Sequence, residues 1–223
     1  MKVAIMYSGG KDSTMALNYA LEQGWEVESL ISVKPKSTES FLYQYATVEW
    51  TKLSSNALGI PVIHLKSEKI GAKEEADELR AVFKDLNVNA VVVGGVGLQK
   101  TQIREWERVA KEFGIELIVP YKNLTSEELF DKTVNSGFDI MLTDVASDGL
   151  GEEWIGKKLT KDNADEFKRS IKAAQLEFEK EPMDDNYSNF IAGYPSRLRV
   201  RKILKELGNI KGKKVLDAGC ESG

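Results

Sequence analysis

The chain has one cysteine, Cys220, and one histidine, His64, among its 223 residues. The lone cysteine excludes an internal disulfide framework and a thiolate zinc cluster. The lone histidine argues against an imidazole metal site and against a Ser-His-Asp triad; lying in a strand-like segment, it reads as a structural residue. Positive charge is also short: the formal net charge is −4, which gives no basic field for general nucleic-acid binding. No apolar run approaches the roughly 18 residues needed to span a bilayer. The first residues pass straight into an apolar strand, so the expectation is a cytoplasmic protein with no signal peptide before it. What remains is an ordinary globular composition, 42% hydrophobic and 30% charged, with length for one sizeable α/β domain or one domain and a small second piece.

The most informative stretch is Tyr7-Ser8-Gly9-Gly10-Lys11-Asp12-Ser13. An apolar run, Val3 to Met6, precedes it and reads as a buried strand, and Thr14 to Leu21 reads as a helix. Strand, glycine turn and helix together aim backbone N–H groups and the positive end of a helix at an anion. The glycines permit close approach and positive φ. Ser8 and Ser13 add hydroxyl donors, and Lys11 adds a point charge suited to phosphate. Asp12 cannot face a phosphate, so it either caps the helix or reaches a phosphate-bound Mg²⁺. The Walker spacing and the G-x-G-x-x-G pattern are both absent from this loop.

Beyond the loop, strand and helix patterns alternate. Strands are expected at Trp25–Val33, Pro61–Leu65, Ala90–Val93, Ile115–Val119 and Phe138–Val145. Helices are expected up to Leu58, over Ala72–Leu86, from Ile103 to Phe113, and from a capping signature at Thr125-Ser126-Glu127-Glu128. Six βα alternations with short connections predict an α/β fold with a doubly wound, mostly parallel, Rossmann-like sheet. Ligands of such sheets sit at the carboxyl ends of the strands. Here those ends are the opening loop, Ser32-Val33, Gly94-Gly95 and the segment after Val145. Gly94-Gly95 reads as a close approach to a nucleotide or, nearly as well, as a tight turn. Lys34 to Ala46, with Phe41, Tyr43 and Tyr45, reads as a functional loop or as a solvated loop with buried aromatics. Lys100, Arg104 and Arg108, at i, i+4 and i+8, read as a solvated helix face first and as a phosphate contact second. Ser147 to Gly156 is glycine-rich, acidic and aromatic, and suits a cleft. A helix is expected from Asp162 to about Lys180, then a linker at Pro182–Asn186, a helix from Pro195 and a strand into Gly219–Gly223.

The loop resembles S-G-G-x-D-S, the pyrophosphate loop of the ATP pyrophosphatase superfamily, whose fold is the adenine nucleotide alpha hydrolase-like one. Residues 1 to about 173 resemble the diphthine–ammonia ligase family. The residues that carry this are the loop, Glu39-Ser40-Phe41-Leu42-Tyr43, Ala57 to Pro61, Gly94-Gly95, Glu107 to Ala110, and Gly149-Leu150 through Trp154 to Lys157. The resemblance implies an ATP-dependent carbon–nitrogen ligase that amidates diphthine on elongation factor 2 with ammonium. It implies an acyl-adenylate and the release of AMP and pyrophosphate. It puts Ser8, Gly9, Gly10, Lys11, Asp12, Ser13, Ser32, Gly94 and Gly95 around ATP and its Mg²⁺, with Lys11, Asp12 and Ser13 nearest the chemistry. Tyr43, Asp148, Glu152 and Trp154 fall to the substrate side. No protein metal site is expected.

Two departures accompany the resemblance. The family has a histidine where this chain has Gln44, and an acidic glycine motif, E-G-G-E-F-E-T, where this chain continues a helix from Ala174 to Lys180. Alternative readings are therefore a tRNA-modifying member of the superfamily or a catalytically incomplete ATP-binding protein. The first would be expected to carry a basic domain or a cysteine pair, and this chain has neither. The tail from Val215 to Gly223 is similar to the start of a class I S-adenosylmethionine-dependent methyltransferase. The expected organisation is thus a ligase domain over residues 1–180 and a linker with an incomplete methyltransferase-like fragment over 181–223.

Overall fold

The computed structural model describes residues 1–38, 40–43, 48–95, 98, 100–143, 145, 151–178 and 215–217. Asp148, Gln44, the linker at 182–186, the helix expected from Pro195 and the glycine loop at 219–223 lie outside them. The chain divides into two compact units, Met1–Leu129 and Phe130–Gly223.

The first unit opens with β1 (Lys2–Met6), α1 (Lys11–Glu22) and β2 (Glu26–Pro35). A 3₁₀ turn at Val48–Trp50 leads into α2 (Thr51–Leu58), then β3 (Val62–Ser67), α3 (Ala72–Glu78), α4 (Arg80–Phe83), β4 (Ala90–Val93), α5 (Lys100–Glu112) and β5 (Glu116–Ile118). The five strands form one sheet in the order β3-β2-β1-β4-β5, with every pairing parallel. Alternate residues of each strand serve opposite faces. Val3, Ile5, Leu30, Ala90 and Val92 pack with Ala16, Leu17 and Ala20 of α1. Ala4, Ile31, Val33, Val91 and Val93 pack with Ala76, Leu79, Trp106 and Val109 on the other side. A strand buried on both faces must be apolar throughout, which is why Ala90 to Val93 carries no polar residue. The expected doubly wound parallel sheet is therefore present.

Two differences from the sequence reading have physical causes. The single helix expected over Ala72–Leu86 is split at Leu79, where bonds to the third residue back, Leu79 N–H to Ala76 and Val82 N–H to Leu79, replace the α-helical ladder. The sixth strand does not extend the parallel sheet. In the second unit, α6 (Ser126–Val134, begun in the first) is followed by β6 (Asp139–Met141), β7 (Lys158–Leu159), α7 (Ala164–Phe178) and β8 (Val215–Asp217). Here β6 pairs antiparallel with β7 and parallel with β8 in a separate three-stranded sheet. Alternation of βα elements predicts that a strand exists but does not say which sheet receives it. The core of this unit gathers Val134, Ile140, Leu142, Trp154, Leu159, Ala164 and Phe167.

Candidate functional site

The strand order reverses between β1 and β4, so the loops leaving those two strands are neighbours at the carboxyl edge. The loop after β1 holds Ser8, Gly9 and Gly10 and runs into α1 at Lys11. Gly9 has φ of 84°, a conformation that side chains rarely adopt. Gly10 is the N-cap and carries no side-chain cap. An uncapped helix start leaves its first N–H groups for an outside acceptor. The nearby hydroxyls are turned to carbonyls instead: Ser13 Oγ and Thr14 Oγ1 both donate to the Gly10 carbonyl at 3.0 Å. Ser8 Oγ lies 3.3 Å from Ser13 Oγ and accepts from Gly10 N–H at 3.4 Å. The Lys11 ammonium stands 3.2 Å from Asp12 Oδ2, with both side chains open to solvent. An ion pair this exposed adds little stability, so both charges remain available to a ligand.

The helix start is seated firmly. A Cβ at Gly94 would meet the Asp12 carbonyl oxygen at 2.0 Å and Ser13 N at 3.0 Å, so the end of β4 lies directly against the first turn of α1. Tyr121, after β5, donates its hydroxyl to the Met15 carbonyl at 3.1 Å, and burial pushes that phenol up to about 12. Gly94 is thus a backbone-to-backbone packing position beside the loop. Gly95 follows with φ of 125°.

Other residues singled out from the sequence are distributed differently. Ser32 is 1% exposed, and its hydroxyl is taken up by Thr51 Oγ1 at 3.1 Å. Thr51 also sits 2.9 Å from His64 Nε2, so the lone histidine joins a small polar chain between β2, α2 and β3. Tyr43 donates its hydroxyl to the Glu75 carbonyl at 3.1 Å, and burial pushes the phenol far above its ordinary value. Arg108 is engaged by Asp77 at 2.6 Å and Glu105 at 2.8 Å, and Arg80 by Glu112 at 2.6 Å. Within that network burial pushes the Asp77 carboxyl up, but hydrogen bonds from Arg108 and Lys73, with the charge of Arg80, outweigh it and hold it at about 2. Lys100 and Arg104 are exposed, as a solvated face requires, whereas Arg108 is half-buried among acids.

In the second unit Glu152 is exposed in a short 3₁₀ turn, Glu152–Trp154. Trp154 is 2% exposed, with the Phe167 ring 4.9 Å away edge-on and the Lys157 ammonium 4.0 Å over its face. Its ring is occupied by packing. Sequence reasoning missed Glu75, a carboxylate on α3 that is 0% exposed and bonded to the loop after β2. The available signal was its spacing: Ala72, Glu75, Ala76 and Leu79 share one helical stripe, so an acid occupies a core position. Among the described residues no three His, Cys, Asp or Glu side chains gather to hold a metal ion, and no helix is long and apolar enough to cross a membrane.

Residues 1–117 match the family described as diphthamide synthase N-terminal domain. The chain is 29% identical to the diphthine–ammonia ligase of Schizosaccharomyces pombe over 181 residues, covering 71% of this chain and 29% of that protein. It is 24% identical to the diphthine–ammonia ligase of Homo sapiens over 181 residues, covering 71% and 67% respectively. The Saccharomyces cerevisiae protein of the same name is 25% identical over 197 residues, 71% of this chain and 28% of its own length. The chain therefore spans less than a third of the two yeast proteins and about two thirds of the human one.

Proposed function

The chain belongs to the diphthamide synthase N-terminal domain family, and from that premise we propose that it is an ATP-dependent amide ligase converting diphthine on elongation factor 2 to diphthamide with ammonium. The single observation that carries the reading is the loop after β1. It joins a left-handed glycine to an uncapped helix start and two accessible charges, Lys11 and Asp12. Such a loop suits the β- and γ-phosphates of ATP.

In this reading the main-chain N–H groups at Gly9, Gly10 and the start of α1 hold phosphate oxygens. Lys11 offsets the charge that grows on pyrophosphate as it departs. Ser8 and Ser13 supply hydroxyls, and Gly94 keeps the helix start in place. The acceptor carboxylate displaces pyrophosphate from the α-phosphate, and ammonia then displaces AMP from the activated acyl carbon, losing a proton as the amide forms. Asp12 is the carboxylate within reach of a Mg²⁺ that would arrive on the phosphates and screen their charge. Exclusion and orientation matter more here than a strong base, which accords with a chain poor in histidine and cysteine. Tyr43 acts through the loop it anchors, and within the second unit Trp154 fixes the turn that carries the exposed Glu152. Ser32 supports the β2 end from within the sheet. The compartment that accords with this substrate is the cytoplasm.

The test is incubation of the chain with diphthine-bearing elongation factor 2, ATP and ammonium, following AMP, pyrophosphate and the amidated product. Equal yields of AMP and amide are expected. A second reading, a nucleotide-binding protein that does not complete the reaction, draws on one observation. The helix α7 runs on to Phe178, through the place where the family carries its acidic glycine motif. ATP binding without AMP formation would favour it.

A further inference from the structure

We propose that Glu75 is a positioning residue for the acceptor, holding the chain after β2 so that the Phe41 ring is presented at the carboxyl edge, one strand from the phosphate loop; this rests on the ligase reading above. The Glu75 carboxylate is buried and fully engaged. Its Oε1 accepts from Phe41 N–H at 3.0 Å and Gly71 N–H at 3.1 Å. Its Oε2 accepts from Leu42 N–H and from the Ser40 hydroxyl, both at 2.8 Å. Ser40 Oγ in turn accepts from Tyr43 N–H at 3.0 Å, and the Phe41 carbonyl accepts from Gln102 Nε2 of α5 at 2.8 Å. The peptide groups on both sides of Phe41 are thus pinned by side chains from two helices. Leu42 is 8% exposed and packs in the core, while Phe41 is 40% exposed. A loop fixed on either side of one outward aromatic residue is built to present that residue.

Stability alone does not call for this arrangement. The stripe Ala72, Ala76 and Leu79 would accept an apolar residue at position 75, and burying a carboxylate is costly unless every lone pair is used. The location gives it a purpose. Beside β1 there are two strand ends, β4 and β2. On the β4 side the main chain of Gly94 packs against that of Asp12, so close that a Cβ there would meet the Asp12 carbonyl oxygen at 2.0 Å. The β2 side, where the Glu75-held loop begins after Pro35, is the flank from which an acceptor can reach a nucleotide on the phosphate loop.

Each Glu75 oxygen faces a main-chain N–H, so an amide cannot replace it: the NH₂ of a glutamine must point a donor at a donor. The experiment compares wild type, Glu75→Gln and Phe41→Ala in three measurements. These are KM for the diphthine-bearing factor, KM for ATP, and hydrogen exchange at the Phe41 and Leu42 amides. Glu75→Gln is expected to raise the acceptor KM about tenfold, to leave the ATP KM within about twofold, and to speed exchange at both amides but not in α1. Phe41→Ala removes an exposed ring, is expected to fold, and should raise the acceptor KM while Leu42 stays protected. An unchanged acceptor KM in Phe41→Ala, or an ATP KM that rises as far as the acceptor KM, overturns the proposal; if Glu75→Gln does not fold, Phe41→Ala decides. A wild type that forms no AMP removes the ligase reading separately. In that protein, slow exchange at Phe41 and Leu42 that is lost in Glu75→Gln still supports the clamp, and fast exchange in wild type overturns it.

Discussion

Two loops leave adjacent strands of the same sheet and are held by opposite means. The loop after β1 is shaped by glycine and by main-chain contact, and its helix start carries no side-chain cap. The loop after β2 is shaped by one buried carboxylate that takes up three main-chain N–H groups and a hydroxyl. On the roles proposed for the two loops the difference has a physical reason. A site for a small, highly charged anion works by turning main-chain donors and the positive end of a helix toward the ligand. A surface that presents a side chain works by leaving its main chain nothing else to do. Neither could be exchanged for the other: a carboxylate placed at the first loop would repel the phosphate, and glycines at the second would let Phe41 wander.

The comparison can be broken most severely at Gly94. Gly94→Ala puts a methyl group into the Asp12 carbonyl, and overpacking against main chain is expected to cost about 3 kcal/mol and to abolish ATP binding; thermal unfolding and calorimetric titration measure the two effects. Lys11→Ala should leave the unfolding midpoint in place and weaken Mg·ATP on the order of tenfold. Unaltered affinity there would remove the phosphate role of the loop. Ser8→Ala takes away one hydroxyl, for about 0.5–1.5 kcal/mol in nucleotide binding, with no effect on the acceptor KM. The smallest effect is a pH dependence in α3, the helix that holds the second loop through Glu75. Asp77 has its carboxyl held at about 2 against an ordinary 3.8, so the stability it contributes is present above that ordinary value and is lost as pH falls through the folded value. Because Asp77 joins α3 to α5, hydrogen exchange in α3 should rise over that window before exchange in β1 does.

The parallel sheet was legible because its interior strand β4 is apolar on both faces and α1, α2 and α5 are followed by glycines; β4 was placed to the residue. The glycine turn between β1 and α1 was legible because its geometry depends on residue type: Gly9 takes a positive φ and Gly10 stands at the helix N-cap. The capping box was legible too: Thr125 N–H donates to Glu128 at 2.7 Å and Glu128 N–H returns to Thr125 Oγ1 at 3.2 Å. Glu75 was hidden because it stands in Lys73-Glu74-Glu75-Ala76-Asp77-Glu78, a run whose composition reads as a solvated face. Composition does not separate the four acids of that run; the helical stripe with Ala72, Ala76 and Leu79 marks Glu75, and packing shows that it is the one buried. The membership of β6 in a second sheet was hidden for another reason: pairing partners far apart in sequence leave no local mark. Trp154 illustrates a third case, since aromatic residues near glycines suit a cleft and a core equally well, and here the core took the ring.

The contact of Gly94 with the first turn of α1 has a kinetic consequence. Two main chains that touch have no side chain between them to compress, so on the proposed role the seat for the phosphates would keep its form whether filled or empty. Preorganisation of that kind does not distinguish what is about to react from what has just been released. If the proposed ligase reaction runs on this loop, free pyrophosphate would fit the seat as well as the end of ATP, and the product would inhibit the protein. Turnover would then depend on how quickly pyrophosphate is removed from solution around it.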